Sequence, residues 1–305
     1  MNSDAIIECV PNFSEGVDSD VVTRIVRSMQ VEHVHLLDWS LDAAHNRSVV
    51  TLAGPPSAVV EAAVQAVGMA VKLIDLTRQN GAHPRIGAAD VIPFVPVSGL
   101  SLAECAMLAR QAGLQIWRRY GVPVYFYGAA AARPDRVLLE EVRRGEFEGL
   151  REASLRDTAR RPDVGGPELH ATAGASAVGA RSFLIAYNVY LEQPDIAAAR
   201  AIAREIRAAS GGLHGVKAIG VLCDGRAQVA MNITDYRRMP MHLVHEKVQV
   251  LARKHGVHTA EGELIGLIPK DAFDPGAAWV REIPGFQVVD KVLEQKLYQP
   301  MAWPS

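Results

Sequence analysis

The stretch Val216-Lys217-Ala218-Ile219-Gly220-Val221-Leu222-Cys223-Asp224-Gly225-Arg226-Ala227-Gln228-Val229-Ala230-Met231-Asn232-Ile233 decides the fold of the second half of the chain. Residues 216–222 and 228–233 read as two strands around a turn at Asp224-Gly225, a dipeptide suited to a tight hairpin. Working outward, residues 194–208 and 241–255 read as helices, 183–191 as an opening strand and 264–268 as a closing one. The order is β-α-β-β-α-β, the split βαβ or ferredoxin-like unit.

The first half repeats that order. Residues 6–10 read as a strand, and Asp18 and Ser19 cap a helix with Val22, Ile25, Val26 and Met29 on one face. Residues 33–39 and 48–53 read as strands joined by the polar stretch 40–47. Pro55-Pro56 opens a long helix striped by Val60, Val64, Val67, Val71 and Ile74. Residues 91–97 read as a buried strand that Pro93 and Pro96 place at an edge or bulge. Ser101 and Glu104 form a capping box for a further helix, and residues 124–127 a further strand. The halves share element order and no obvious residue-level repeat. Residues 160–179, rich in Gly, Pro and small side chains, read as the boundary. The expected architecture is α+β: two consecutive ferredoxin-like lobes, 1–178 and 179–305, with a crevice between them.

Composition narrows the function classes. The 305 residues are 49% apolar, enough for a sizeable core, and the net charge of −2 leaves no electrostatic footprint for nucleic acid or an anionic membrane. No uninterrupted run of eighteen apolar residues suggests a membrane span, and the first residues lack the layout of a secretory signal. Cys9, Cys105 and Cys223 are odd in number and far apart, so they fit no metal spacing and suit a reducing cytoplasm.

The chemistry-bearing stretch is Asn80-Gly81-Ala82-His83-Pro84-Arg85-Ile86-Gly87, an irregular loop between a long helix and a buried strand. Its imidazole can accept and donate protons near neutral pH, and Arg85 can hold a carboxylate; a histidine satisfying a turn is the alternative. Asp42, His45, Asn46 and Arg47 gather a carboxylate, an imidazole, an amide and a guanidinium within six residues, or are a solvated hairpin connection. Asn12 follows the first strand and can present donors and acceptors to a flat heterocycle, or the turn residues around it explain it without function. Gly165, Gly166, Pro167 and Gly174 read as a flexible lining between lobes or as plain linker. His245-Glu246 lacks the second histidine of a zinc-binding helix, and Arg118-Arg119 and Arg143-Arg144 read as exposed charge. No Walker loop, dinucleotide fingerprint or nucleophile elbow is present.

At these residues the chain resembles the formimidoyltransferase family, whose members include bacterial glutamate formimidoyltransferases and the N-terminal part of formimidoyltransferase–cyclodeaminases. The resemblance rests on Glu8 to Gly16, Asp42 to Arg47, Gly81-x-His83-Pro84-Arg85-x-Gly87-Ala88-x-Asp90-Val91-x-Pro93-Phe94, Pro123-Val124-Tyr125, Gly145-Glu146-Phe147-Glu148, Gly179-Ala180-Arg181 and Gly266-Leu267-Ile268-Pro269. It covers nearly the whole chain. It implies two ferredoxin-like halves, His83 as the acid–base residue, and a folate-contacting segment over Gly165, Gly166, Pro167, His170, Thr172 and Gly174. The chain departs from the family's pattern at Gly166, where proline is usual, and at Ala171, where relatives often carry proline. The implied reaction moves the formimidoyl group of N-formimidoyl-L-glutamate to tetrahydrofolate, a co-substrate, with no metal. A formyl donor giving 5-formyltetrahydrofolate, and a folate-binding protein without turnover, are the alternatives. Small-molecule partners, a homodimer, and no nucleic-acid or membrane partner complete the expectation.

Overall fold

The computed structural model describes residues 5–43, 45–81, 83–223 and 225–304. Two compact units divide at Arg181/Ser182, and residues from Pro300 onward return to the first, where the Met301 amide donates to the Leu36 carbonyl at 2.8 Å.

The first unit runs β1 (Ile6–Cys9), β2 (Asn12–Phe13), α1 (Ser19–Ser28), β3 (His35–Asp42), β4 (Arg47–Gly54), α2 (Pro56–Leu73), β5 (Ala89–Ser98), α3 (Leu102–Tyr120), β6 (Val124–Gly128), α4 (Leu139–Val142), α5 (Glu146–Arg156) and β7 (Ser176–Ala180). Both β1 and β2 lie between β4 and β5, antiparallel to each, as one strand broken at Val10-Pro11. The order β3-β4-β1-β5 is ferredoxin-like, and β7 then β6 extend it in parallel beyond β5. Asp18 caps α1, accepting from the Asp20 and Val21 amides, and the capping box of Ser101 and Glu104 opens α3. The helix α2 is long and apolar enough by composition to cross a membrane, but it packs Val59, Val60, Val64 and Val67 into the core with Ile7, Phe94 and Ile92.

Three expectations change here. The polar stretch 40–47 is mostly strand, because β3 runs on to Asp42 and β4 begins at Arg47; Leu41 and Asp42 sit at the exposed tip of a long hairpin, where pairing does not require apolar residues. The strand β5 is central and not at an edge. Its prolines are tolerated because Pro93 lies opposite the Val10-Pro11 break, where its carbonyl accepts from the Val10 amide at 3.2 Å, and Pro96 sits at a register irregularity with β1. Residues 160–179 are no linker: β7 fills the gap between β5 and β6, and Asp163 is pinned by Arg136 at 2.5 Å and by the Phe126 amide at 2.8 Å. Small residues suit that stretch because Gly179 abuts the Tyr127 ring, which a Cβ would meet at 2.5 Å.

The second unit runs β8 (Ile185–Leu191), α6 (Ile196–Ile206), β9 (Val216–Cys223), β10 (Arg226–Ile233), α7 (Met241–Lys254) and β11 (Thr259–Ile265), in the antiparallel order β11-β8-β10-β9. Cys223 stands opposite Arg226 and Gly225 has φ +76°; Asp224 of the expected turn lies outside the described residues. The closing strand starts earlier than its apolar run because Thr259 to Glu261 alternate polar side chains, and it ends at Gly266, φ +71°. Three short helices follow, α8 (Ala278–Arg281), α9 (Val288–Lys291) and α10 (Leu293–Tyr298), and the first buries Trp279 edge-on to Tyr187 at 5.9 Å. Their brevity leaves no period to read.

Candidate active site

The register of β2 assembles the site. Phe13 pairs with Ser48 near the start of β4 and with Ala89 at the start of β5, so the segment after β2, the β3–β4 turn and the loop before β5 meet at one end of the sheet. Asn46 clasps the three together. Its side-chain oxygen accepts from the Gly16 amide at 2.9 Å, its amide donates to the Asn80 carbonyl at 2.8 Å, and its own carbonyl accepts from Gln79 at 3.0 Å. It holds φ +48°, a conformation asparagine tolerates. A Cβ on Gly81 would lie 2.4 Å from the His45 carbonyl oxygen, so this close approach needs glycine.

His83 is half-buried against this clasp. Arg47 Nη1 donates to His83 Nε2 at 2.5 Å, and the His45 ring stands edge-on at 6.5 Å. A guanidinium only donates, so His83 Nε2 carries the lone pair. The remaining proton sits on Nδ1 and serves the Pro84 backbone, whose only polar group is a carbonyl. Burial first, then the charges of Arg47 and Arg143 and the nearby His45, push the imidazole down to about 3. At neutral pH it is therefore an uncharged base. Asp42 accepts from both the His45 amide (3.0 Å) and its Nδ1 (2.6 Å), fixing that ring in turn.

Arg85 is buried, and Glu148 receives it bidentately at 2.9 and 3.0 Å, while Gln79 accepts from its Nε at 2.8 Å and the Gln79 and Leu76 carbonyls from Nη2. The hydrogen bond from Arg85 holds the Glu148 carboxyl below its usual range. The guanidinium is engaged by its own chain as a bolt between the His83 loop and α5, and Arg85 also lines the pocket around His83.

The pocket here is lined by Asn12, Phe13, Ser14, Asn46, Arg47, His83, Arg85 and Asp90. Asn12 donates to the Val10 carbonyl at 2.8 Å. Ser14 and Asp90 lie in stretches that carry the family resemblance but are not among the expected site residues. Ser14 Oγ donates to the Gly87 carbonyl at 2.7 Å, and buried Asp90 accepts from the Ile86 amide at 2.7 Å while pairing with Arg143. The available signal was an acid inside the apolar strand Ala89-Asp90-Val91-Ile92, which demands a cation. Arg143, expected to be exposed charge, supplies it; Arg144 beside it is exposed and pairs with Glu141.

Two family descriptions match nearly the whole chain: the N-terminal subdomain of the formiminotransferase domain over residues 6–181, and the formiminotransferase domain over 186–293. The chain belongs to the formiminotransferase family. It is 41% identical over 295 residues to a glutamate formimidoyltransferase of Streptococcus pyogenes serotype M1, covering 96% of this chain and 98% of that one. A Thermoplasma acidophilum protein of the same name is also 41% identical, over 298 residues, with 96% and 97% covered. A formimidoyltransferase-cyclodeaminase of Gallus gallus matches at 41% over 276 residues, which is 88% of this chain and 51% of that longer protein.

The segment that the formiminotransferase resemblance marks for folate falls into two parts. Thr172 and Gly174 lie directly against the His83 loop. The Thr172 carbonyl accepts from the Leu76 amide at 2.9 Å, and Gly174 bridges Gly87 so closely that a Cβ on it would lie 2.1 Å from the Ile86 carbonyl oxygen. His170 closes this turn, its Nδ1 accepting from the Ala173 amide at 3.0 Å. Gly165, Gly166 and Pro167 are exposed and lie elsewhere, with Gly165 against the Trp117 ring of α3; none of the segment lines the pocket around His83.

Proposed function

We propose that this chain transfers the formimidoyl group of N-formimidoyl-L-glutamate to tetrahydrofolate, giving 5-formimidoyltetrahydrofolate and glutamate, with His83 as general base and then general acid. The observation that carries the reading is the His83 imidazole, held neutral with Nε2 unprotonated beside a cationic side chain in a polar pocket. The full-length likeness to two proteins named glutamate formimidoyltransferase supports the choice of substrates.

In this mechanism N5 of the folate attacks the formimidoyl carbon, and its proton passes to His83 Nε2. The bond from that carbon to the glutamate nitrogen then breaks, and His83 returns the proton to that nitrogen, which would otherwise leave as a poor anion. Such proton transfers contribute roughly 100- to 10,000-fold. Arg47 supplies positive charge for a substrate carboxylate, and Asn12, in the same pocket, offers polar groups to the folate. We take the enzyme to work in the cytoplasm, in histidine breakdown and one-carbon metabolism, as a homodimer.

The test incubates the protein with tetrahydrofolate and either N-formimidoylglutamate or N-formylglutamate, following folate absorbance. Turnover with the formimidoyl donor exceeding the formyl donor is expected. Turnover with the formyl donor alone makes the enzyme a formyltransferase, and folate binding without turnover from either donor contradicts the reading.

A further inference from the structure

The hydrogen bond from Arg47 to His83 poses a chemical problem. Nε2 is the ring nitrogen that must accept a proton, and a guanidinium already occupies its lone pair at 2.5 Å. While that bond lasts, His83 cannot act as a base. Arg47 is itself poorly served. Burial and the neighbouring Arg143 pull its guanidinium below the usual range, and Asp90 and Asp42 only partly offset this. Arg143 has a carboxylate partner in Asp90, whereas Arg47 aims Nη1 at an uncharged ring.

We propose that Arg47 is a displaceable cap on His83: in the empty site it covers the imidazole lone pair, and the carboxylate of the arriving glutamate donor draws the guanidinium away and frees Nε2 to take the proton from the folate. The inference rests on the functional reading above and adds to it a positioning role for Arg47. The physical reason is the difference between two acceptors. A guanidinium–carboxylate pair is charged on both sides and can be bidentate, while a guanidinium–imidazole bond is charged on one side only. The incoming anion therefore wins the exchange, and no proton changes hands in it. The base becomes competent only when the donor substrate is seated, so the site is switched on by the molecule it must activate. The groups that face the ring are Arg47 from β4, His45 from the β3–β4 turn, and Arg143 from the end of α4, with Asp42 and Asp90 acting on Arg47. Of these, the cap moves only Arg47.

The experiment is nitrogen-15 NMR of histidine-labelled protein, with His83 assigned by its disappearance in His83→Gln, titrated with pH in the absence and presence of L-glutamate. Calorimetry establishes glutamate binding separately. In the free protein the His83 midpoint is expected near 3. With glutamate bound, its midpoint should rise by about one unit or more. In folded Arg47→Gln the midpoint should be raised without any ligand, and glutamate should add nothing. Glutamate that binds without moving the His83 midpoint overturns the cap and leaves the functional reading standing. A midpoint in Arg47→Gln equal to that of the wild type also overturns it. Absence of glutamate binding to the wild type removes the displacement together with the functional reading. The wild-type arm needs no variant, so a misfolded Arg47→Gln leaves the proposal testable.

Discussion

His83 in the first unit and His245 in the second are both withdrawn from solvent, and their company differs in kind. His83 has a guanidinium on Nε2 and a second arginine nearby, in a pocket lined by polar side chains. His245 is fully buried on α7, with the Tyr187 hydroxyl at 2.9 Å from Nδ1 and a Glu282 carboxylate oxygen at 3.3 Å from Nε2. Gln249 donates to the other Glu282 oxygen at 2.9 Å. Burial, then the Glu282 charge, pushes the Tyr187 phenol up. The environment of His245 ties β8, α7 and the end of α8 together, and the His83 pocket does not include it. Among the described residues, the donor to the His83 Nε2 lone pair is the Arg47 guanidinium, which on the proposal above an arriving carboxylate draws away. His245 has a hydroxyl on one nitrogen and lies beside a carboxylate at the other without a hydrogen bond to it, whereas His83 carries a cationic donor on the nitrogen proposed to do chemistry.

The largest effect on stability should come from the scaffold histidine. His245→Ala opens a cavity and strips Tyr187 of its partner, and should cost about 2–4 kcal/mol in urea unfolding. Turnover per folded molecule should stay within about twofold, because His245 lies in the other unit from the His83 pocket. A large loss of turnover in well-folded His245→Ala would erase the distinction between the two histidines.

Arg85→Ala sharpens the comparison within the site itself. It removes the bidentate pair to Glu148 and the bonds to Gln79, and should cost roughly 2 kcal/mol of stability. Glu148 stays solvated once unpaired, its side chain being 62% exposed, which keeps the cost below that of breaking a fully buried pair. As a bolt, Arg85 should affect turnover by loosening the His83 loop, and raising the concentration of the glutamate donor should not restore it. Full rescue by saturating donor would return Arg85 to the role of carboxylate holder.

Much of this was legible in the sequence. The β-α-β-β-α-β order followed from alternating apolar runs and capping residues, and the irregular loop around His83 stood out because glycines and proline interrupt a helix-to-strand passage. What stayed hidden depends on contacts distant in sequence. That Arg47 would reach His83 follows from the pairing of β2 with both β4 and β5, which no local pattern encodes. Arg85 and Arg143 look alike as isolated cations, and only Glu148 and Asp90 reveal them as internal pairs. β7 was missed because Ser176-Ala177-Val178-Gly179-Ala180 is made of small residues, chosen for close packing, which mimic a flexible linker.

A smaller effect follows from the charge state of His83. Its folded value, near 3, lies below the ordinary 6.5, so the fold favours the unprotonated ring. That preference costs nothing above about pH 6.5, and stability is lost progressively as pH falls from there toward about 3, where the unfolded chain binds the proton and the folded one does not. Solvent screening at this half-buried site keeps the slope under about 1 kcal/mol per pH unit. Urea midpoints at pH 7 and pH 5 should therefore separate more for the wild type than for His83→Gln. Equal separations would mean that the ring is not held neutral.

The most direct measurement is turnover of folded His83→Ala with N-formimidoylglutamate and tetrahydrofolate, alongside its folate binding constant. The imidazole serves the transition state, where protons move, so turnover should drop by roughly 100-fold or more while folate binding stays within about threefold. Folded His83→Ala that turns over at close to the wild-type rate would make His83 a turn residue and contradict the account at its centre.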